Sequence, residues 1–351
     1  LINQDTFAFR LIEWYRYHKR DLPWRHTQDP YLIWLSEIIL QQTRVKQGLP
    51  YYLAFSKQFP TIFDLAAAPE QEVLRLWQGL GYYSRARNMQ QTAQYVVNQF
   101  AGVFPNTYQS LLQLKGIGPY TAAALASFAF KESVAVLDGN VFRVLARLFG
   151  LETDIASHAA KGIFSELANQ LISVTEPDLF NQAIMEFGAI QCTPVAPDCL
   201  LCPFQQECEA FQTGRQHTLP VKNKKTVIKK RFFHYIVLLF EDQLAMHLRA
   251  SKDIWRGLYD FMLLEHDAIL DTTALLEQSA VQNLGPATSI LTQAKTYTHV
   301  LSHQRIEAHF WHLSFDTKPA LPEGLEFYTL EEIHRLPKPI LVNKYLNEHF
   351  F

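Results

Sequence analysis

All four cysteines of this chain fall between residues 192 and 208, as Cys192, Cys199, Cys202 and Cys208 in the spacing C-x6-C-x2-C-x5-C. Thiols this close in sequence suit a metal centre better than disulfides. A tetrahedral zinc takes four thiolates and so does a four-iron, four-sulfur cluster; spacing alone leaves both open. A second chemistry lies in a carboxylate. The apolar run Val134–Leu137 ends on Asp138, and Gly139, Asn140 and an amphipathic helix follow. An acid in that position accepts the amide hydrogens of the first helical turn and sits at the positive end of the helix dipole. Capping of this kind is compatible with catalysis. Third, Lys115-Gly116-Ile117-Gly118-Pro119-Tyr120 is a tight turn into a helix of small residues, Thr121–Phe128. Gly116 and Gly118 permit positive φ and close backbone approach. The unpaired amides that follow could hold a phosphate, a contact that positions a nucleic acid without reading its bases. The plainer alternative is a glycine-capped connection between helices. Glu37, set among Leu32, Ile33, Trp34, Leu35, Ile38, Ile39 and Leu40, falls by pattern alone on the exposed stripe of an amphipathic helix.

The elements that must position these groups are helical up to about residue 190. The periodicity predicts helices over Phe7–Tyr17, from Leu32 to about Phe55 with a break or kink at Pro50, over Thr61–Ala67 and Pro69–Trp77, and from the turn Gly79–Asn88 to about Phe100. Further helices are predicted near His158–Val174 and Pro177–Ile190. Residues 216–231 read as a basic linker. It carries Lys222, Lys224, Lys225, Lys229, Lys230 and Arg231, and there is no acid between Glu209 and Glu241. That composition suits a solvated tether or a strap on phosphates. Beyond it, FFHYIVLLF, QLAMHLRA, YDFMLL and RIEAHFWHLSF read as strands, with a helix over Thr273–Gln278.

With 351 residues, 48% of them hydrophobic, the chain has material for two cores. Its formal charge of −2 means that any nucleic-acid surface must be local. The charges from Asp5 to Asp21 predict no signal-peptide core, and no apolar run reaches membrane-spanning length. The chain opens on Leu1 instead of Met, which predicts that a few leading residues are missing. A soluble, cytoplasmic protein is expected.

LKGIGPYTA followed by VLDGNVFRVLARL resembles the helix–hairpin–helix of the base-excision DNA glycosylases, where a Gly/Pro-rich stretch and an Asp follow the hairpin. The cysteine spacing resembles the cluster loop of the endonuclease III-like members, which implies one 4Fe-4S cluster on the four cysteines. SE-x-x-LQQT, around Glu37, resembles the catalytic segment of the MutY-type adenine DNA glycosylases. LPWR (ending at Arg25), GLGYYSRARN (with Tyr82) and MEFGA also resemble this family. The C-terminal pattern, with WRGLYDF, resembles the Nudix fold, but the paired glutamates of a Nudix box are absent, so recognition and not hydrolysis is expected there. The similarity runs from about Phe7 to Pro220 and is weaker over 232–351.

The resemblance implies a mainly α, two-lobed glycosylase domain (1–215) with the cluster loop, the linker 216–231, and a smaller α/β Nudix-like domain (232–351) that recognises the lesion. It implies a monofunctional enzyme, monomeric and nucleoid-associated. Its substrate would be double-stranded DNA with adenine opposite 8-oxoguanine or guanine. Glu37 is then the general acid and lies inside the protein. Asp138, with Asn140, stabilises the sugar cation, and Tyr120 lies near the deoxyribose. Bifunctional relatives have an imine-forming lysine where this chain has Tyr120. Expected DNA contacts are Arg25, Gln42, Thr43, Lys115, Gly116, Gly118, the wedge residue Tyr82, and Ser302 and His303 of a recognition loop in which Leu301 stands where the family usually has Phe. The alternatives are a thymine or other mismatch glycosylase of the same superfamily, or an iron–sulfur lesion-binding protein without catalysis.

Overall fold

The computed structural model describes residues 3–223, 228–250, 253–292 and 295–351. Lys224 and Lys225 of the basic linker lie outside the described residues. The chain forms two compact units, one of residues 1–67 and 91–224, the other of residues 68–90 and 225–351.

The first unit is helical. Its elements are α1 (Gln4–His18), α2 (Pro30–Leu40), α3 (Val45–Gln58), α4 (Ile62–Ala67), the later turns of a helix over Ser84–Phe100, and then Tyr108–Leu111, Pro119–Phe130, Gly139–Leu148, His158–Leu171 and Pro177–Glu186. In chain order, with Glu70–Leu76 of the other unit as α5, these last six are α6 to α11. Of the break or kink predicted at Pro50, the break falls earlier. The chain turns at 41–44, where Gln42 takes φ 53°, and Pro50 sits inside α3. The carbonyl that Pro50 leaves without a partner, on exposed Lys46, can turn to water. Helix α8 begins at Pro119, and its small residues Thr121–Ser127 are all buried. That lets α2, α7 and α11 pack around it.

Helix α11 continues into a π-turn over Phe187–Gln191 that leads into the cysteine segment. Phe204 of that segment lies 5.0 Å from Phe7 and 5.5 Å from Phe187, ring centroid to centroid, and Phe187 lies 4.9 Å from Trp14. Each fully buried phenyl contributes about 1.5–3 kcal/mol. The cysteine segment is therefore anchored to α1 by aromatic packing.

In the second unit, eight strands among the described residues form one sheet: β1 (Lys229–Phe240), β2 (Gln243–Leu248), β3 (Tyr259–Asp260), β4 (Met262–His266), β5 (Ser289–Thr292), β6 (Tyr297–Val300), β7 (Gln304–Phe315) and β8 (Leu325–Thr329). Long β1 and β7 pair in parallel, from Lys229↔Gln304 to Phe240↔Phe315. YDFMLL, expected as one strand, is split at Phe261. The helices Leu330–Arg335 and Ile340–His349 are not among the elements expected from the sequence. Arg231, read as part of the basic strap, is buried in β1 and bound to Asp253 and Glu265, so it offers no free charge to phosphate.

Segment 68–90 packs with this unit. Gln71 Nε2 donates to Tyr259 Oη at 3.0 Å, Arg87 Nη1 to the Arg256 carbonyl at 2.6 Å, and the Lys338 amide to Gln78 Oε1 at 3.0 Å.

Candidate active site

Glu37 lies in the third turn of α2, whose N-terminus is set by Pro30 and by the Asp29 cap. It is 6% exposed, not on an open stripe. The apolar residues around it are not one face of an amphipathic helix, because α2 is covered on nearly every side. The Tyr120 hydroxyl, at the start of α8, donates to Glu37 Oε2 at 2.7 Å and lies 3.9 Å from Met185 Sδ. Burial raises the Glu37 pKa from 4.5 to about 7. The Tyr120 hydrogen bond opposes the rise, Asp138 adds to it, and Arg25 opposes it. Glu37 is thus a carboxyl group poised between its acid and its base at neutral pH. Beside it opens a pocket whose lining includes Tyr15, Trp24, Arg25, Ser36, Gln182 and Met185.

Asp138 caps α9. Its Oδ1 accepts from the amides of Asn140 and Val141, both at 2.8 Å, and its Oδ2 accepts from Asn140 Nδ2 at 2.7 Å. Burial pushes its pKa up, against these three hydrogen bonds and the charge of Arg143. Every partner is an N–H donor, so the arrangement is satisfied by the carboxylate and not by the acid. Asn140 is held in turn. Its Oδ1 accepts from Arg143 Nη2 at 2.9 Å, and the same guanidinium donates to the carbonyls of Gly188 at 2.6 Å and Cys192 at 2.8 Å. Gly188 must be glycine, since a Cβ there would stand 2.6 Å from Asn140 Cβ. Arg143 thus ties the first cysteine to the partner of Asp138. Arg143 and Arg147 are not among the residues that the sequence motifs single out. The available signal was two arginines four residues apart on the otherwise apolar VFRVLAR face.

The four cysteines line one cavity with Val144, Arg147, Leu148 and Phe187. Among the described residues, no three His, Cys, Asp or Glu converge as ligands of a single ion. Arg147, 2% exposed, points Nη1 at Cys192 Sγ (3.4 Å), and the Phe204 amide points at Cys202 Sγ (3.4 Å). Burial pushes the Cys202 thiol up to about 12 and also raises Cys199 and Cys208. Without a cation among them these thiols stay protonated.

Of the remaining residues singled out in the sequence, Arg25 shares the pocket with Glu37. Gln42, Lys115, Gly116 and Gly118 are exposed, and Thr43 is half-buried. Gly116 has the expected positive φ (76°). Gly118 does not: it is the extended cap of α8, with φ −89° and only open space where a Cβ would go. Lys115 Nζ donates to Gln91 Oε1 at 2.5 Å. In the second unit Tyr82 is exposed and takes φ 47°, and its hydroxyl is hydrogen-bonded to Ser302. Ser302 and His303 are exposed in the loop between β6 and β7, where the Leu301 amide donates to the Gln304 carbonyl at 2.8 Å.

Fold and site define a helix-hairpin-helix base-excision DNA glycosylase. Residues 35–170 match the HhH-GPD superfamily of base excision DNA repair proteins, and residues 234–348 match the NUDIX domain. The adenine DNA glycosylase of Buchnera aphidicola subsp. Baizongia pistaciae is 36% identical over 258 residues, which cover 73% of each chain. The adenine DNA glycosylase of Rattus norvegicus is 44% identical over 230 residues, 62% of this chain and 45% of that one. A solved structure of a thermostable thymine-DNA glycosylase superimposes with a TM-score of 0.55 at 30% identity, over 60% of this chain and 97% of that one. The chain belongs to the adenine DNA glycosylase family. It is a DNA-binding glycosidase of base excision repair that releases adenine. No helix among the described residues is long and apolar enough to cross a membrane.

Proposed function

We propose that this enzyme removes adenine paired with 8-oxoguanine or guanine by hydrolysis of the N-glycosidic bond, leaving the strand intact. The observation that carries the reading is Glu37, buried at the wall of the pocket with its pKa raised to about 7 and tied to Tyr120. The adenine nucleotide is flipped out of the duplex so that its base enters this pocket. Protonated Glu37 gives its proton to N7, which makes adenine a better leaving group. As the bond to C1′ breaks, positive charge spreads over the sugar, and ionised Asp138, aligned by Asn140, stabilises it. Water adds its oxygen to C1′ and releases a proton, and the products are free adenine and an abasic site. Tyr120 has no amine and forms no imine with C1′, so strand cleavage by that route is closed.

Gln42, Thr43, Lys115, Gly116 and Gly118 hold the backbone, with the hairpin amides on phosphate. Tyr82 fills the stack as a wedge, and Ser302 and His303 read the base opposite adenine. The enzyme acts as a monomer on chromosomal DNA in the cytoplasm.

A four-iron, four-sulfur cluster fits the cysteines. They surround one cavity, and N–H groups of Arg147 and Phe204 already point at two sulfurs. Cys192, Cys199, Cys202 and Cys208 would hold it, and it would bring one-electron redox chemistry that the hydrolysis itself does not use.

The test is base release from end-labelled duplexes carrying A opposite 8-oxoguanine, A opposite G, A opposite T and T opposite G, with and without alkali. Breakage only after alkali, fastest for A opposite 8-oxoguanine, is expected. Release of thymine, or breakage without alkali, would refute the reading.

A further inference from the structure

The MEFGA segment was singled out by its sequence, and four of its residues already have a place: Met185 lines the pocket, Phe187 packs on Trp14, Gly188 admits Asn140, and Ala189 lies in the π-turn. Glu186 is left. It is 1% exposed. Its Oε1 accepts from the Arg20 amide (2.9 Å), Arg20 Nε (2.8 Å) and Arg25 Nη1 (3.2 Å), and its Oε2 from Arg20 Nη2 (2.6 Å) and Arg25 Nη2 (2.7 Å). Arg25 also donates to the Arg20 carbonyl at 2.8 Å and stacks over the Tyr15 ring, 5.4 Å from its centroid.

One carboxylate therefore gathers the loop that supplies Lys19, Trp24, Arg25, Thr27 and Gln28 to the base pocket. It does so from α11, which supplies Gln182 and Met185 to the same pocket. Gln182 is itself fixed, because the Tyr15 hydroxyl donates to its Oε1 at 2.7 Å. There is also a charge problem at this place. Arg25 shares the pocket with Glu37, and an unscreened guanidinium would favour ionised Glu37 and weaken it as an acid. Glu186 supplies the opposite charge directly on Arg25.

We propose that Glu186 is a positioning residue for base excision, one that clasps the pocket loop to α11 and offsets the charge of Arg25 so that this arginine orders the pocket without favouring the ionised form of Glu37. The inference rests on the assignment of this pocket to the flipped base. The groups that face Glu37 are Tyr120 from α8, Asp138 from the cap of α9 and Arg25 from the loop. Lys19 and Asp178 line the same pocket, and Tyr15 faces both Arg25 and Gln182.

The test uses the full chain and a duplex with A opposite 8-oxoguanine. Excision rates are measured against pH under single-turnover conditions, and KM under multiple turnover, for wild type, E186Q, E186D and R25M. Loss of the clasp in E186Q should raise KM about tenfold, on the scale of one charge-assisted hydrogen bond. It should also move the alkaline limb of the rate profile toward acid by about half a unit or more. E186D, which restores the charge, should bring the limb back. R25M should move it the opposite way, toward alkali. E186Q with an unmoved limb and unchanged KM, or a shift of the same sign in E186Q and R25M, overturns the proposal. Should E186Q fail to fold, an R25M limb that does not move toward alkali overturns it alone. A wild-type enzyme that releases no adenine would sink the pocket assignment itself, a result distinct from any of these.

Discussion

Replacing Tyr120 with Phe removes one oxygen and tests how the general acid is set. In the native site the phenol donates to Glu37 Oε2 at 2.7 Å, and this contact holds the Glu37 pKa below the value that burial alone would impose. A hydrogen bond to a charged acceptor is worth about 1.5–3 kcal/mol, against about 1 kcal/mol for a neutral one. The ionised form therefore loses roughly 1–2 kcal/mol more than the protonated form when the phenol is removed. At about 1.4 kcal/mol per unit, that is a rise of roughly one pKa unit. Glu37 is 6% exposed, so solvent does little to screen the change. Since Glu37 acts in its protonated form, excision fails as pH rises through its pKa of about 7. In Y120F that limb should lie near pH 8. The assay is single-turnover release of adenine from about pH 5.5 to about pH 9.5, with wild type and variant compared on the same duplex. A limb that stays in place or moves to lower pH would refute the assignment of Glu37 as the acid, or of Tyr120 as its donor. Strand breakage without alkali should be absent in both proteins.

Asp138→Asn should reduce single-turnover excision by roughly a thousandfold, the scale of losing a group that stabilises transition-state charge, with duplex affinity unchanged in a gel-shift titration; a variant with near-full activity excludes Asp138 from the chemistry. Glu37→Gln should abolish excision and change the pH dependence of stability. The folded pKa of about 7 lies above 4.5, so wild-type stability is lost as pH rises through that interval, by roughly 3 kcal/mol in total. Gln escapes this loss, so the Tm of E37Q relative to wild type should rise between about pH 5 and about pH 8, and parallel Tm curves would contradict the buried-acid assignment. Cys202→Ser should yield protein without bound iron and with a lower Tm; a colourless, zinc-loaded wild type by metal analysis would remove the cluster from the account.

Much of the site was legible because its chemistry is local in sequence. Asp138 caps a helix by contacts to residues two and three positions on, so GN and an amphipathic run suffice to place it. The cysteines were legible by crowding alone. Gly116 was legible as a positive-φ turn residue, but Gly118 was not read correctly, since an extended cap and a left-handed turn both accept glycine. Glu37 read wrongly by periodicity because an acid among apolar residues looks like the outer stripe of an amphipathic helix until the neighbours that cover it are known. Pro50 read as a break or kink because the pattern does not show that exposed Lys46 can leave its carbonyl to water.

Sequence by itself determined the helical and sheet halves of the chain, the thiol cluster, the capped aspartate, and the absence of an amine at Tyr120. Only the tertiary structure decided that Glu37 is buried against Tyr120, that Arg143 joins Asn140 to the Cys192 carbonyl, that Arg231 is engaged internally, and that Glu186 clasps Arg20 and Arg25. The division follows from range. Helix caps, turns and thiol spacing depend on residues a few positions apart. Burial, and with it the pKa of a carboxyl group, depends on chain segments separated by dozens of residues, for which no local pattern stands in.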